Sequence, residues 1–147
     1  MKTTKKILFG LAIMLIYMMS AVAQNYKAPK IDAAGKVWLD EKEIGSVNNE
    51  GLIKNHEGVK VAHVSNDGEL IEANTGKKLG KAEKNGNFTY HFADGGTEEW
   101  TFSEPDKDGY CEVKDKTGKV VGVVHQNYKQ QGACAIHCLT AKEHIKK

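Results

Sequence analysis

No arginine occurs anywhere in the 147-residue chain. Arginine supplies the guanidinium fork that grips phosphates and guanine edges, so its absence argues against a nucleic-acid partner. Cysteine is almost as scarce. Cys111, Cys134 and Cys138 are too few for a disulfide scaffold, and an odd number leaves one thiol over. A disulfide from Cys111 to either Cys134 or Cys138 stays open on sequence grounds. Neither Gly-x-Ser-x-Gly nor Cys-x-x-Cys-His occurs, so the chain offers no recognisable nucleophile or haem-attachment context. No run after residue 23 is apolar enough to cross a bilayer as a helix, which takes roughly 20 residues. The alternating segments are too short and polar for an outer-membrane barrel.

The one long apolar run, 7–19, follows the basic stretch Met-Lys-Thr-Thr-Lys-Lys. Ala21 and Ala23 then form the small-x-small pair read by a signal peptidase. The pattern predicts a cleavable leader over 1–23, cut after Ala23, and a secreted or periplasmic protein. Without the leader, 18 lysines face 19 acidic residues, a net charge of −1, so the basic balance belongs to the leader. The remaining 124 residues are enough for one small domain.

What the chain does have is a repeat. Gly35-Lys-Val37, Gly51-Leu-Ile53 and Gly68-Glu-Leu70 each open a unit with glycine and place an apolar residue two positions on. Each unit then carries an apolar residue followed by a tiny one: Ile44-Gly45, Val61-Ala62 and Leu79-Gly80. The next opening glycine follows six residues later each time, at Gly51, Gly68 and Gly86. A fourth unit alternates Phe88, Tyr90 and Phe92, turns at Asp94-Gly95-Gly96, and returns through Trp100 and Phe102. A fifth runs from Gly109 through Cys111 and Val113 to Val121-Gly122. The units, about 16 to 23 residues each, fit one β-hairpin per repeat. A lone hairpin cannot bury its apolar face, so the hairpins are expected to share a centre, with the tiny residue where backbones crowd.

These units resemble the five-fold β-flower family of small exported proteins of Bacteroides-like bacteria. The resemblance covers most of the chain after the leader and implies an all-β fold of five β-hairpin repeats around a common axis. It implies no activity, so it carries over no catalytic residues.

Beyond the repeats, 131–147 reads as a short C-terminal helix, with Ala135, Cys138, Leu139 and Ile145 near one face. It is expected to pack on one end of the flower. The organisation is then leader 1–23, extended lead-in 24–34 with Pro29, repeats 35–130 and helix 131–147. Cys134, His137 and Cys138, with His144 nearby, are candidate metal ligands, set against plain burial of small cysteines. Trp38 and Trp100 are the candidate ligand-stacking residues, set against core packing. The position after each tiny residue reads Ser46, His63, Lys81 and Val123, so no repeated polar site is visible. The expectation is a non-catalytic binding or interaction protein with no cofactor, no stable membrane insertion after cleavage, and a protein or glycan partner. The alternatives are a small-molecule or glycan binder and an envelope metal-binding protein.

Overall fold

The computed structural model describes residues 28–140. The expected leader and its cut, the lead-in before Ala28, and the tail residues 141–147 with His144 lie outside the described residues.

Eleven strands come first in chain order: β1 (Lys30–Ile31), β2 (Lys36–Leu39), β3 (Lys42–Val47), β4 (Leu52–Asn55), β5 (Lys60–Val64), β6 (Glu69–Glu72), β7 (Lys78–Ala82), β8 (Phe88–His91), β9 (Thr97–Phe102), β10 (Tyr110–Lys114) and β11 (Val120–His125). A 3-10 turn, Gln126–Tyr128, leads into helix α1 (Lys129–Thr140). From β2 to β11 each strand pairs antiparallel with the next. Strand β1 closes the ring, antiparallel to β2 and parallel to β11 through Lys30↔Val123 and Ile31↔Val124. The result is a closed barrel, which leaves no sheet edge to solvent. The expected lead-in therefore contributes a strand, and the Pro29 carbonyl accepts from the Val123 N–H.

The apolar–tiny pairs are β-bulges. Pairing steps from Val37↔Gly45 to Trp38↔Glu43, which leaves Ile44 without a partner. Val61, Leu79 and Val121 are skipped in the same way in β5, β7 and β11. Each skipped residue is half-buried against the core, and the tiny residue after it is buried. Backbone crowding is half the reason for the tiny residue. A Cβ on Gly45 would strike the Lys54 carbonyl, and one on Gly80 the Thr89 carbonyl. The other half is the helix, described below.

Two units depart from the sequence alignment. Strands β8 and β9 pair without a bulge, and Trp100 faces Phe88 where Gly45, Ala62 and Gly80 face Val37, Ile53 and Leu70. In the fifth unit Val124, not Gly122, faces Cys111, so Val121-Gly122 sits two residues out of step with its counterparts.

The unit-opening glycines all lie at φ between 85° and 98°, a region costly for other residues. Each closes a turn whose first residue accepts its N–H, as the Asp32 carbonyl accepts from Gly35 at 3.1 Å. In four of these turns the leading side chain also accepts from the backbone: Asp32, Asn48 and Asp106 each accept two N–H groups and Ser65 accepts one.

Helix α1 does not lie on one end of the barrel. Six consecutive residues, Gly132 to His137, are buried, and six residues span more than one full turn, so every face of this stretch is covered. Its neighbours are β3, β5, β7 and β11, strands spread around the ring. The helix is the filling of the barrel. That explains its small residues: Gly132, Ala133, Cys134 and Ala135 keep it thin. Size is traded locally between helix and wall. A Cβ on Gly132 would lie 2.8 Å from a Val124 methyl, one on Gly122 would lie 2.5 Å from the Ile136 Cδ1, and one on Gly45 would lie 2.7 Å from a Leu139 methyl. Around the helix the wall contributes Ile31, Val37, Ile53, Leu70, Phe88, Val113 and Val124, all with at most 2% exposure. Each such side chain favours the fold by roughly 1.5–3 kcal/mol over its exposed state.

Candidate functional site

Alternation along β2 sends Val37 into the barrel and Trp38 to the outside. Barrel closure then builds a row across five strands on the outer face. The pairings Glu43↔Trp38, Trp38↔Lys30, Lys30↔Val123 and Val123↔Glu112 place these residues side by side. Along this row lies an open groove of about 590 Å³. Trp38, Val120 and Val123 supply its larger apolar surfaces, with Ala28 and Lys30 beside them. Its carboxylates are Asp40, Glu41 and Glu112.

The Trp38 ring is held in place. Its Nε1–H donates to Asp32 Oδ2 at 3.0 Å, while Asp32 Oδ1 accepts from the N–H groups of Ala34 and Lys36. Burial pushes the Asp32 carboxyl up, but the hydrogen bonds from Trp38, Lys36 and Ala34 outweigh it and hold the group below its ordinary value. The carboxylate thus stays charged and keeps its grip on the indole at neutral pH. The Lys30 ammonium lies 4.4 Å from the centroid of the Tyr110 ring, a cation–π contact. The Glu112 carboxylate lies 4.0 Å from Lys114 Nζ, both side chains well exposed, a pairing that contributes little. At the β2–β3 tip, Asp40 and Glu41 hold φ of 53° and 64° and are the only non-glycine residues at positive φ among the described residues.

The second cluster is internal. The His137 ring stacks on Tyr90 at 3.9 Å and 23°, and meets Trp100 at 5.3 Å and Phe88 at 5.8 Å. The aromatic fourth unit is therefore the wall that embraces this one helix residue. Trp100 itself is 6% exposed, and its Nε1–H donates to Glu98 Oε1 at 2.6 Å. The structure thus separates the two tryptophans: Trp38 lines the outer groove, whereas Trp100 packs in the core and presents no face for stacking.

All three cysteines are free thiols, so neither pairing with Cys111 forms. Burial pushes the Cys134 thiol well above its ordinary value. Burial, then Glu72, pushes Cys138 up to about 12. Such thiols stay protonated at neutral pH. Cys134, His137 and Cys138 share one helix, yet His137 is turned into the aromatic wall. Among the described residues no three His, Cys, Asp or Glu side chains form a group able to hold a metal ion.

Of the groove, sequence reasoning found Trp38 alone. Its outward position was readable, because a glycine two residues before Val37 fixes which side faces in. Lys30 joins it through the β1–β2 pairing, and Val123 and Glu112 only through the parallel β1–β11 pairing, which links segments more than ninety residues apart. No family model, curated protein or solved structure matches the chain.

Proposed function

We propose that the protein is an exported, non-catalytic binding protein whose ligand seat is the outer groove around Trp38. The observation that carries this reading is a tryptophan kept on the solvent side of the barrel and fixed by Asp32 in the wall of a groove of about 590 Å³. A ligand seat needs an apolar surface of fixed orientation with a few polar groups at its rim, and its volume falls in the range typical of small-molecule sites. The groove brings together carboxylates, one ammonium and apolar walls, a set suited to holding a ligand. The expected export accords with this role, since a rigid closed barrel suits an unprotected environment. The same reading takes the barrel as a five-petalled β-flower. Support comes from the bulge that recurs in four of the five hairpins and from the matching φ of the five opening glycines.

The test of binding uses the two indole N–H resonances, one in the groove and one in the core. A fragment library titrated into the ¹⁵N-labelled protein is expected to yield binders that shift the Trp38 indole and the Val120 and Val123 amides while leaving Trp100 in place. A library whose binders all map elsewhere, or that yields none, would sink the reading. Export is checked separately by N-terminal sequencing of protein recovered outside the cytoplasm, expected to begin at Gln24. An intact Met1 terminus would count against a cleaved leader.

A further inference from the structure

We infer that the outer wall across β2–β5 carries a second binding surface, a row of lysines around Ser46 that takes a linear acidic glycan. Register builds the row. Lys36 faces Ser46, Ser46 faces Lys54 and Lys54 faces Lys60, so four neighbouring strands contribute one residue each. Alternation turns Val37, Val47 and Ile53 into the core, which leaves Lys36, Ser46 and Lys54 on the outside. Lys60 is exposed just before the bulge at Val61. Ammonium groups at directly opposed positions, as at Lys54 and Lys60, repel each other and weaken a sheet.

Elsewhere on the wall lysine charge is compensated. Lys81 faces Glu69, which also accepts from Lys78 Nζ at 2.9 Å. Lys114 Nζ lies 4.0 Å from Glu112. Among the described residues Lys36, Lys54 and Lys60 have no ion-pair partner. Asp32 feels the charge of Lys36, but its oxygens are taken by the Trp38 indole and two backbone N–H groups. The other carboxylates of these strands and turns lie off the row. Glu43 faces Trp38, Glu50 sits between β3 and β4, and Glu57 lies 3.8 Å from the His56 ring. A partner that supplies the missing counter-charge accounts for a like-charge row that the fold alone does not favour.

Length and chemistry narrow that partner. Neighbouring strands lie about 4.8 Å apart, so the row spans about 14 Å, too long for one small anion. Lysine meets an anion as a point charge, and a chain without arginine has no planar fork for phosphate, which weighs against a nucleic acid. An extended peptide binds a sheet by pairing with an edge, and the closed barrel offers none. A uronate chain needs neither device. It brings carboxylates to the ammonium groups and hydroxyls to the Ser46 side chain, which has no hydrogen bond of its own among the described residues.

Hexagalacturonate is the probe, titrated into the ¹⁵N-labelled protein against its fully methyl-esterified form, the same sugar chain without charge. Hexaglutamate and a thymidine hexanucleotide are the peptide and nucleic-acid arms. The acidic sugar is expected to shift the Ser46, Lys54 and Lys60 amides and leave the Trp100 indole in place, and the ester to shift none of them. Lys54→Gln should weaken binding about threefold, and Lys54→Gln with Lys60→Gln about tenfold, without loss of stability in urea. Lys81→Gln removes the same charge from a compensated position and should leave binding unchanged. Ser46→Ala should weaken binding about threefold. Raising the salt from about 20 to about 500 mM should weaken binding to the wild-type protein severalfold. No shift along the row from the acidic sugar overturns the inference. So does equal weakening by Lys81→Gln, which would mean that net charge alone is felt. Tighter binding of hexaglutamate or of the hexanucleotide overturns the glycan as partner. The groove reading is judged separately, by the fragment library at Trp38.

Discussion

Asp32 shapes a turn and anchors an indole with the same carboxylate. Asp32→Asn keeps an oxygen for the Ala34 and Lys36 N–H groups but can turn an amide N–H₂ toward Trp38 Nε1–H, two donors face to face. The substitution is expected to cost about 1 kcal/mol in chemical denaturation and to broaden or shift the Trp38 indole resonance. Its pH signature has a definite sign. A carboxyl held below its ordinary 3.8 contributes stability above that value and loses it as pH falls through the lower folded value. Acid unfolding of Asp32→Asn should therefore be flatter below pH 4, and an unchanged acid limb would contradict the anchor. The thiols make the opposite case. Raising Cys138 from 9.0 to about 12 lowers its thiolate fraction roughly a thousandfold at pH 8. Ellman's reagent should label it at least about a hundredfold more slowly in the folded protein than in urea. The stability that goes with the raised value is present below pH 9 and is lost as pH climbs toward about 12. Labelling at the free-cysteine rate in the native state would refute the half-buried placement of Cys138.

At the scale of elements, helix and barrel wall are fitted to each other by exchanging bulk. Gly122 on β11 leaves room for the Ile136 Cδ1 methyl, and Gly132 on α1 leaves room for the Val124 side chain. Gly122→Ala should cost about 1–3 kcal/mol by overpacking. Ile136→Val alone should cost about 0.5–1.5 kcal/mol as a lost methyl. Together they should cost less than the sum, because the missing Cδ1 vacates the space the new Cβ needs. Strict additivity in urea denaturation would contradict this contact. Gly132→Ala is the companion test. Helix propensity alone favours alanine by about 1 kcal/mol, so net destabilisation would reveal the steric limit set by Val124. Much of this was legible in the chain. Opening glycines, inward residues two positions on, and apolar–tiny pairs all lie within a few residues of one another, and local spacing records local geometry. The bulge was readable only as a pattern, because a skipped residue is defined by its partner strand. The two-residue offset at Val121-Gly122 was hidden for the same reason. The helix misled for a different one. Its sequence suggested one apolar face, but a lumen that accepts only a thin helix selects small residues on all sides, and alanine, glycine and cysteine look unremarkable in a tail.

For the molecule as a whole, the helix that follows the eleven strands in the chain occupies the centre of the barrel they form. A barrel of hairpins with an empty lumen would leave Val37, Ile53, Leu70, Phe88 and Val124 facing a void or water, and interiors do not sustain such voids. Local hairpin contacts can form early, but their inward faces have nothing to cover them until α1 is in place. Barrel and helix should therefore be one cooperative unit, and closure by β1 should depend on it, since β1 meets β11, the strand with the most contact to the helix. A chain ending at Tyr128 is expected to lack dispersed amide resonances and a cooperative thermal transition. A peptide spanning 129–140, added in trans, is expected to restore both, together with the upfield shifts that Phe88, Tyr90 and Trp100 impose on the His137 ring protons. Peptide carrying His137→Ala should restore the fold more weakly, because it leaves the aromatic wall without its occupant. If the shortened chain instead unfolds cooperatively with dispersed resonances, the barrel stands without its filling, and the helix is an accessory to the fold.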